Sequence, residues 1–180
     1  TFDRLGALAI DEYSSFIKNI DSKDKSDISK LGIRIGAKFF YTPIFLKKSA
    51  IELCAILWKV FNKSSQELNL PLPKDGRVSF TANAKMPNSY WLAIGYICID
   101  DFALRVDVFE KIFFLARQKI KLGPFLESSD MMNPIGCNSN QLKKILAFCG
   151  FDYVDLPDYK KLFYYAAKKK IVKKQSKNEK

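Results

Sequence analysis

Histidine is missing from all 180 residues, and that absence removes more chemistry than any other feature of the chain. Without an imidazole, neither a Ser-His-Asp nor a Cys-His catalytic arrangement can be assembled. The four cysteines, Cys54, Cys98, Cys137 and Cys149, contain no C-x-x-C pair, so zinc sites of the usual Cys/His kinds are not expected. Cys54 and Cys98 lie within apolar runs and read as small buried hydrophobes, which favours a reducing, cytoplasmic compartment. The glycines make no phosphate loop. In LGIRIGAKFFYTP, Gly32 and Gly36 are spaced wrongly for G-x-x-x-x-G-K-[ST], no G-K-[ST] occurs, and an extended run follows instead of a helix. A dinucleotide loop would need a third glycine opening a helix, and none is there. Long apolar runs are missing too: Lys, Arg, Asp or Glu interrupts each one before it reaches membrane-spanning length. Arg34 and Lys38 would sit inside any span built on the glycine pair, so no membrane partner is expected. The first residues lack the basic-then-apolar layout of a signal peptide. The start at Thr1, without methionine, reads as a piece of a longer protein.

What is present is a substantial core. Hydrophobic residues make up 48% of the chain and aromatics 14%, enough for one domain or two small ones sharing an interface. Basic charge concentrates at one end. Residues 160–180 hold nine lysines against Glu179 alone, so the +11 of the whole chain leaves only +3 for the remaining residues. The body is nearly balanced and the tail is the basic element.

Periodicity predicts an α+β chain that is mostly helical. Residues 3–20 read as one or two short helices, and the polar run DSKDKSD as the start of another that ends at Leu31-Gly32. From Ile33 to Tyr41 the period drops to two, predicting a half-buried strand or extended segment stopped by Pro43. Ser49 to Glu52 has the S-x-x-E form of a capping box. The helix after it, to about Asn62, is apolar almost all round and is expected to be buried on most sides. A proline-bearing loop, a strand from Arg77 to Thr81, a short helix after Met86-Pro87 and a strand from Tyr96 to Asp100 follow. Asp107 to about Lys121 reads as a helix with acids at its start and bases at its end, stopped by Gly123-Pro124. Asn138 caps a helix to Cys149, with Gly150 at the exit. The stretches 151–154 and 162–166 predict a two-stranded ribbon.

Long helix, short element, turn, amphipathic helix and ribbon form the order of a winged helix-turn-helix. The expected organisation is a helix-rich accessory subdomain with short strands over 1–102, a winged-helix-like unit over 103–167 and a disordered basic tail over 168–180. Pro134 predicts that the helix before the amphipathic one is short or bent. In that amphipathic helix Leu142, Ile145, Leu146 and Cys149 form the buried stripe, and Asn140, Lys143, Lys144 and Ala147 the opposite arc. Lys143 and Lys144 are candidate phosphate contacts and Asn140 a candidate base reader. Lys160, Lys161, Lys168, Lys169 and Lys170 extend the set along the basic end, and Arg34 and Lys38 add two cations from the strand. Tyr159, Tyr164 and Tyr165 either stack on single-stranded bases or pack the ribbon. The carboxylate pairs Asp100-Asp101 and Asp107/Glu110 read as caps and dipole partners. No catalytic or metal-binding residue is assigned.

Several collinear blocks are similar to one family. The piece SKLGIRIGAKFFYTPIFLKKSAIELCAILWKVF, then PLPKDGRVSF, then PNSYWLAIGYICIDDFALRVDVFEKI, and finally GPF with IGCNSNQLKKILAFCGFDY occur in order over roughly residues 1–154. They resemble the C-terminal region of alphaproteobacterial ATP-dependent helicases related to the mitochondrial degradosome RNA helicase, DExH-type motors of superfamily two. The resemblance implies a parent chain with two upstream ATPase lobes that bind ATP and Mg²⁺ and unwind RNA or DNA. This region would then be an accessory domain with no cofactor of its own, contacting nucleic acid, the upstream lobes, and a nuclease or other protein partner. Two other readings stand beside it: a stand-alone winged-helix DNA-binding regulator, and a protein-docking module of a helicase–nuclease complex.

Overall fold

The computed structural model describes residues 5–17, 19–62, 70–74, 77–82, 86–157 and 161–165. It is an α+β fold, and among the described residues three small antiparallel sheets are each three strands wide. In chain order the elements are β1 (Ala7–Ala9), a 3₁₀ turn (Ile10–Tyr13), α1 (Ser14–Ile17), α2 (Ser22–Lys30), β2 (Arg34–Ile35) and β3 (Phe39–Tyr41). A second 3₁₀ turn (Pro43–Leu46) leads to α3 (Lys48–Phe61), β4 (Ser79–Thr81), α4 (Asn88–Ala93), β5 (Tyr96–Ile99) and β6 (Phe102–Arg105). Then come α5 (Val106–Ile120), β7 (Phe125–Leu126), α6 (Ser129–Met132), α7 (Ser139–Phe148), β8 (Phe151–Asp155) and β9 (Lys161–Tyr165).

The central sheet, ordered β4-β6-β5, divides the core by strand periodicity. On β5 and β6, Ile97, Ile99, Phe102 and Leu104 join the larger cluster around α5 and α7. Their alternates, Tyr96 and Ala103, join a second cluster with α3 and α4. Edge-on aromatic pairs fill the second cluster: Trp58 with Tyr90 and Tyr90 with Trp91, both at 5.2 Å between ring centres. The hydroxyls of Tyr90 and Tyr96 donate to the carbonyls of Pro71 and Arg77, each at 2.9 Å, fastening the proline-bearing loop to this core. The larger cluster takes residues from Ala7 to Phe163, and β6 straddles the boundary expected between residues 102 and 103.

Several expectations change. The first segment opens with β1 instead of a helix, because Gly6 brings the chain against the Leu92 and Ala93 carbonyls and the Gly95 amide; a Cβ there would overlap that backbone. Ile33 to Tyr41 folds as two strands of a hairpin, with Ile35 facing Phe40 and the Gly36 amide donating to the Phe39 carbonyl at 2.8 Å. The S-x-x-E box does not form. The 3₁₀ turn at Pro43 delivers the chain at Lys47, so Ser49 already lies inside the first turn of α3. Nor is α3 enclosed: Ile51, Cys54, Ala55 and Trp58 face the core, while Leu53, Ile56, Val60 and Phe61 face outward.

The helices with local signals form as predicted. On α2, Asp21 and Asp24 make a reciprocal capping box. Asn138 and Gln141 do the same for α7, and Leu142, Ile145, Leu146 and Cys149 are buried. Ahead of Pro134, α6 is a single turn. The ribbon gains β7 as a third strand, giving the order β7-β9-β8. No helix among the described residues is long and apolar enough to cross a membrane.

Candidate nucleic-acid interface

On the outer arc of α7, Asn140 and Ala147 are exposed, but both lysines are engaged within the protein. The Lys143 ammonium lies 4.0 Å above the centre of the Tyr153 ring. Lys144 donates to Asp101 Oδ1 at 2.5 Å and lies 3.6 Å from Asp100 Oδ2, clasping the turn between β5 and β6. The hydrogen bond from Lys144 holds the Asp101 carboxyl below its usual value, and the same bond raises Lys144. Asp100-Asp101 is thus a turn rather than a cap, with Asp100 at φ 52°.

Lys161 faces inward and is only 9% exposed. It donates to Ser139 Oγ at 3.1 Å and lies 3.8 Å from Asp155, while Ser139 Oγ donates to Glu127 at 2.5 Å. This polar chain ties the start of α7 to the ribbon, and an ammonium so placed is withdrawn from solvent. Tyr165 packs its ring 4.3 Å from that of Phe151, which leaves the ribbon-packing reading in force for it. Lys160, Lys168, Lys169 and Lys170, with Tyr159, lie outside the described residues.

Arg34 and Lys38 sit on the β2–β3 hairpin, which is held by an unexpected partner. Glu110, on α5 and 8% exposed, accepts hydrogen bonds from the backbone amides of Ala37, Lys38 and Phe39 at 2.7, 2.8 and 2.7 Å. Three converging amides form a concave anion site, and the protein's own carboxylate fills it. Gly36 makes the approach possible, since a Cβ on it would overlap the Glu110 carboxyl group. Lys38 extends toward Asp11 at 3.9 Å, while Arg34 is exposed.

Between this hairpin and α5 runs a groove of about 520 Å³. One wall carries Ile35, Gly36, Ala37 and Tyr41; the other carries Lys111, Phe114, Arg117 and Gln118 from α5 and Lys121 at its C-terminal cap. Positions 111, 114, 118 and 121 follow the three-four-three spacing of one helix face. Phe114 is 59% exposed among these cations. The two carboxylates in the groove are already engaged: Glu110 by the three amides, and Asp107 by the Arg105 guanidinium through bonds of 2.7 and 3.0 Å. Lys111, Arg117 and Lys121 have no ion pair with a described residue. The acid-to-base charge order along this helix accounts for Arg117 and Lys121 as bases near its end and gives Lys111, Phe114 and Gln118 no role. The stripe was readable, but its exposure depended on which side of α5 the hairpin covers.

No reactive thiol emerges. Burial raises Cys54 and Cys98, pushes Cys137 up to about 11, and raises Cys149 further. Among the described residues no group of three or more His, Cys, Asp or Glu is placed to hold a metal ion. Compared with protein-family models, curated proteins and solved structures, the chain matches none of them.

Proposed function

We propose that this chain is a nucleic-acid-contacting accessory region of a cytoplasmic ATP-dependent helicase, and that residues 106–165 form a winged helix-turn-helix unit within it. The observation that carries the reading is the element order α5, β7, α6, α7, β8, β9 with the sheet order β7-β9-β8. A long helix, a short strand, two further helices and a two-stranded wing follow one another as in that nucleic-acid-binding motif. The collinear blocks similar to helicase C-terminal regions support the same reading. ATP and Mg²⁺ belong, on this view, to upstream lobes, and no residue of this chain is assigned to them.

The test is a titration of labelled single- and double-stranded RNA and DNA at several salt concentrations, with and without residues 168–180. The expected result is weak, sequence-tolerant binding that falls steeply with salt, without ATPase activity of the isolated chain. No binding at low salt by either form would end the nucleic-acid reading. A second reading, a protein-docking module, is supported by the outward apolar residues Leu53, Ile56, Val60 and Phe61 of α3. The stand-alone regulator would instead dimerise and select a sequence.

A further inference from the structure

We propose that the groove between α5 and the β2–β3 hairpin, and not the outer arc of α7, is where this chain holds nucleic acid, and that its ligand is a single strand. The inference rests on the nucleic-acid reading above and specifies the surface and the form of the ligand.

Charge availability comes first. The lysines of α7 are committed to Tyr153 and to the Asp100-Asp101 turn, so a phosphate would have to displace partners already in place. Lys111 and Lys121 have no such partners among the described residues, and Arg117 makes only a longer contact, its guanidinium 5.8 Å from the centre of the Phe113 ring. Lys111 and Arg117 on α5 and Lys121 at its C-terminal cap span a rise of about 15 Å, a suitable track for consecutive backbone phosphates. The groove's acids do not cancel them, because Asp107 is paired with Arg105 and Glu110 is turned into the hairpin amides.

The form of the ligand follows from Phe114. A large ring left 59% exposed between cations offers a stacking face, and only a base freed from its duplex stack can use it. Tyr41 and Ile35 on the facing wall supply apolar surface for the other side of such a base. Single-stranded RNA and DNA share this chemistry.

The experiment is a fluorescence-anisotropy titration of the full chain with labelled poly-uridine, poly-deoxythymidine and a blunt duplex over a salt series. Variants Phe114→Ala, Lys111→Ala/Lys121→Ala and Lys143→Ala/Lys144→Ala are compared, each checked for an unchanged thermal midpoint. Both single strands should bind more tightly than the duplex. Phe114→Ala should weaken single-strand binding about tenfold with little change in salt slope. The Lys111/Lys121 variant should flatten the log–log slope by about 0.7 for each cation removed. The Lys143/Lys144 variant should behave as the wild type.

Wild-type binding that survives Phe114→Ala and the Lys111/Lys121 change overturns the groove while leaving the nucleic-acid reading in place. Loss of binding in the Lys143/Lys144 variant alone moves the contact to α7, and duplex preference overturns the single-strand assignment. Absence of wild-type binding at low salt removes both.

Discussion

Gly36 and Glu110 are one device made of two residues 74 positions apart in the chain. The carboxylate collects three backbone amides that the turn between β2 and β3 leaves unpaired, and the missing Cβ is what lets it reach them. Charged acceptors on buried amides are among the stronger hydrogen bonds in proteins. Glu110→Ala is therefore expected to cost about 3 kcal/mol in urea unfolding, and Gly36→Ala about 1–3 kcal/mol by forcing the carboxylate aside. The two changes should be strongly non-additive, because the second has little left to break once the first is made. Additive losses would show that the clasp is not what holds the hairpin. None of this was legible in sequence. Glu110 looked like a dipole partner at the start of α5, and nothing local tells a carboxylate that it will meet amides from another part of the chain.

At the scale of elements, legibility divides along the same line. The capped helices α2 and α7 and the glycine exit of α7 announce themselves within a few residues, and they form where the periodicity puts them. Strands β1, β6 and β7, of three, four and two residues, carry too little pattern to read alone and exist through pairing with distant strands. The misreading of α3 has a different cause. An all-round apolar composition predicts enclosure, but the core contacts only the stripe of Ile51, Cys54, Ala55 and Trp58. Trp58→Ala is expected to lower stability by about 3–5 kcal/mol. Ile56→Lys and Val60→Lys should change it by less than about 0.5 kcal/mol, as for surface positions. A large loss from either lysine substitution, measured by chemical denaturation, would mean that the outer face of α3 is covered in the native protein.

For the whole molecule, the buried thiols and phenols set a common response to pH. Burial raises all four cysteines as well as Tyr41, Tyr90 and Tyr96, with Tyr96 pushed up to about 12. Folding favours the neutral form of each group, so its contribution is complete below the unfolded thiol value of about 8.5. It is then lost as pH climbs, because the unfolded chain ionises first; for Cys137 the loss continues until about pH 11. The urea midpoint should be flat near neutrality and fall steadily above about pH 8.5. A midpoint that stays level through that range would contradict the burial of these groups. The overall class was legible from composition and periodicity, since the chain is α+β with its larger helices placed as expected. The sharing of one core by residues from Ala7 to Phe163 was not, because division of a sheet's two faces between clusters is a property of the assembled strands.

The central claim is that the surface built by α5 and the hairpin meets nucleic acid. Photo-crosslinking tests it most directly: a thiouridine-labelled single strand is irradiated with the full chain, and the adducted peptide is identified by mass spectrometry. The adducts should fall within residues 106–121, centred on Phe114, with a second set on the facing hairpin around Tyr41. Adducts confined to residues 139–148 of α7, or to the basic end beyond residue 157, would contradict it.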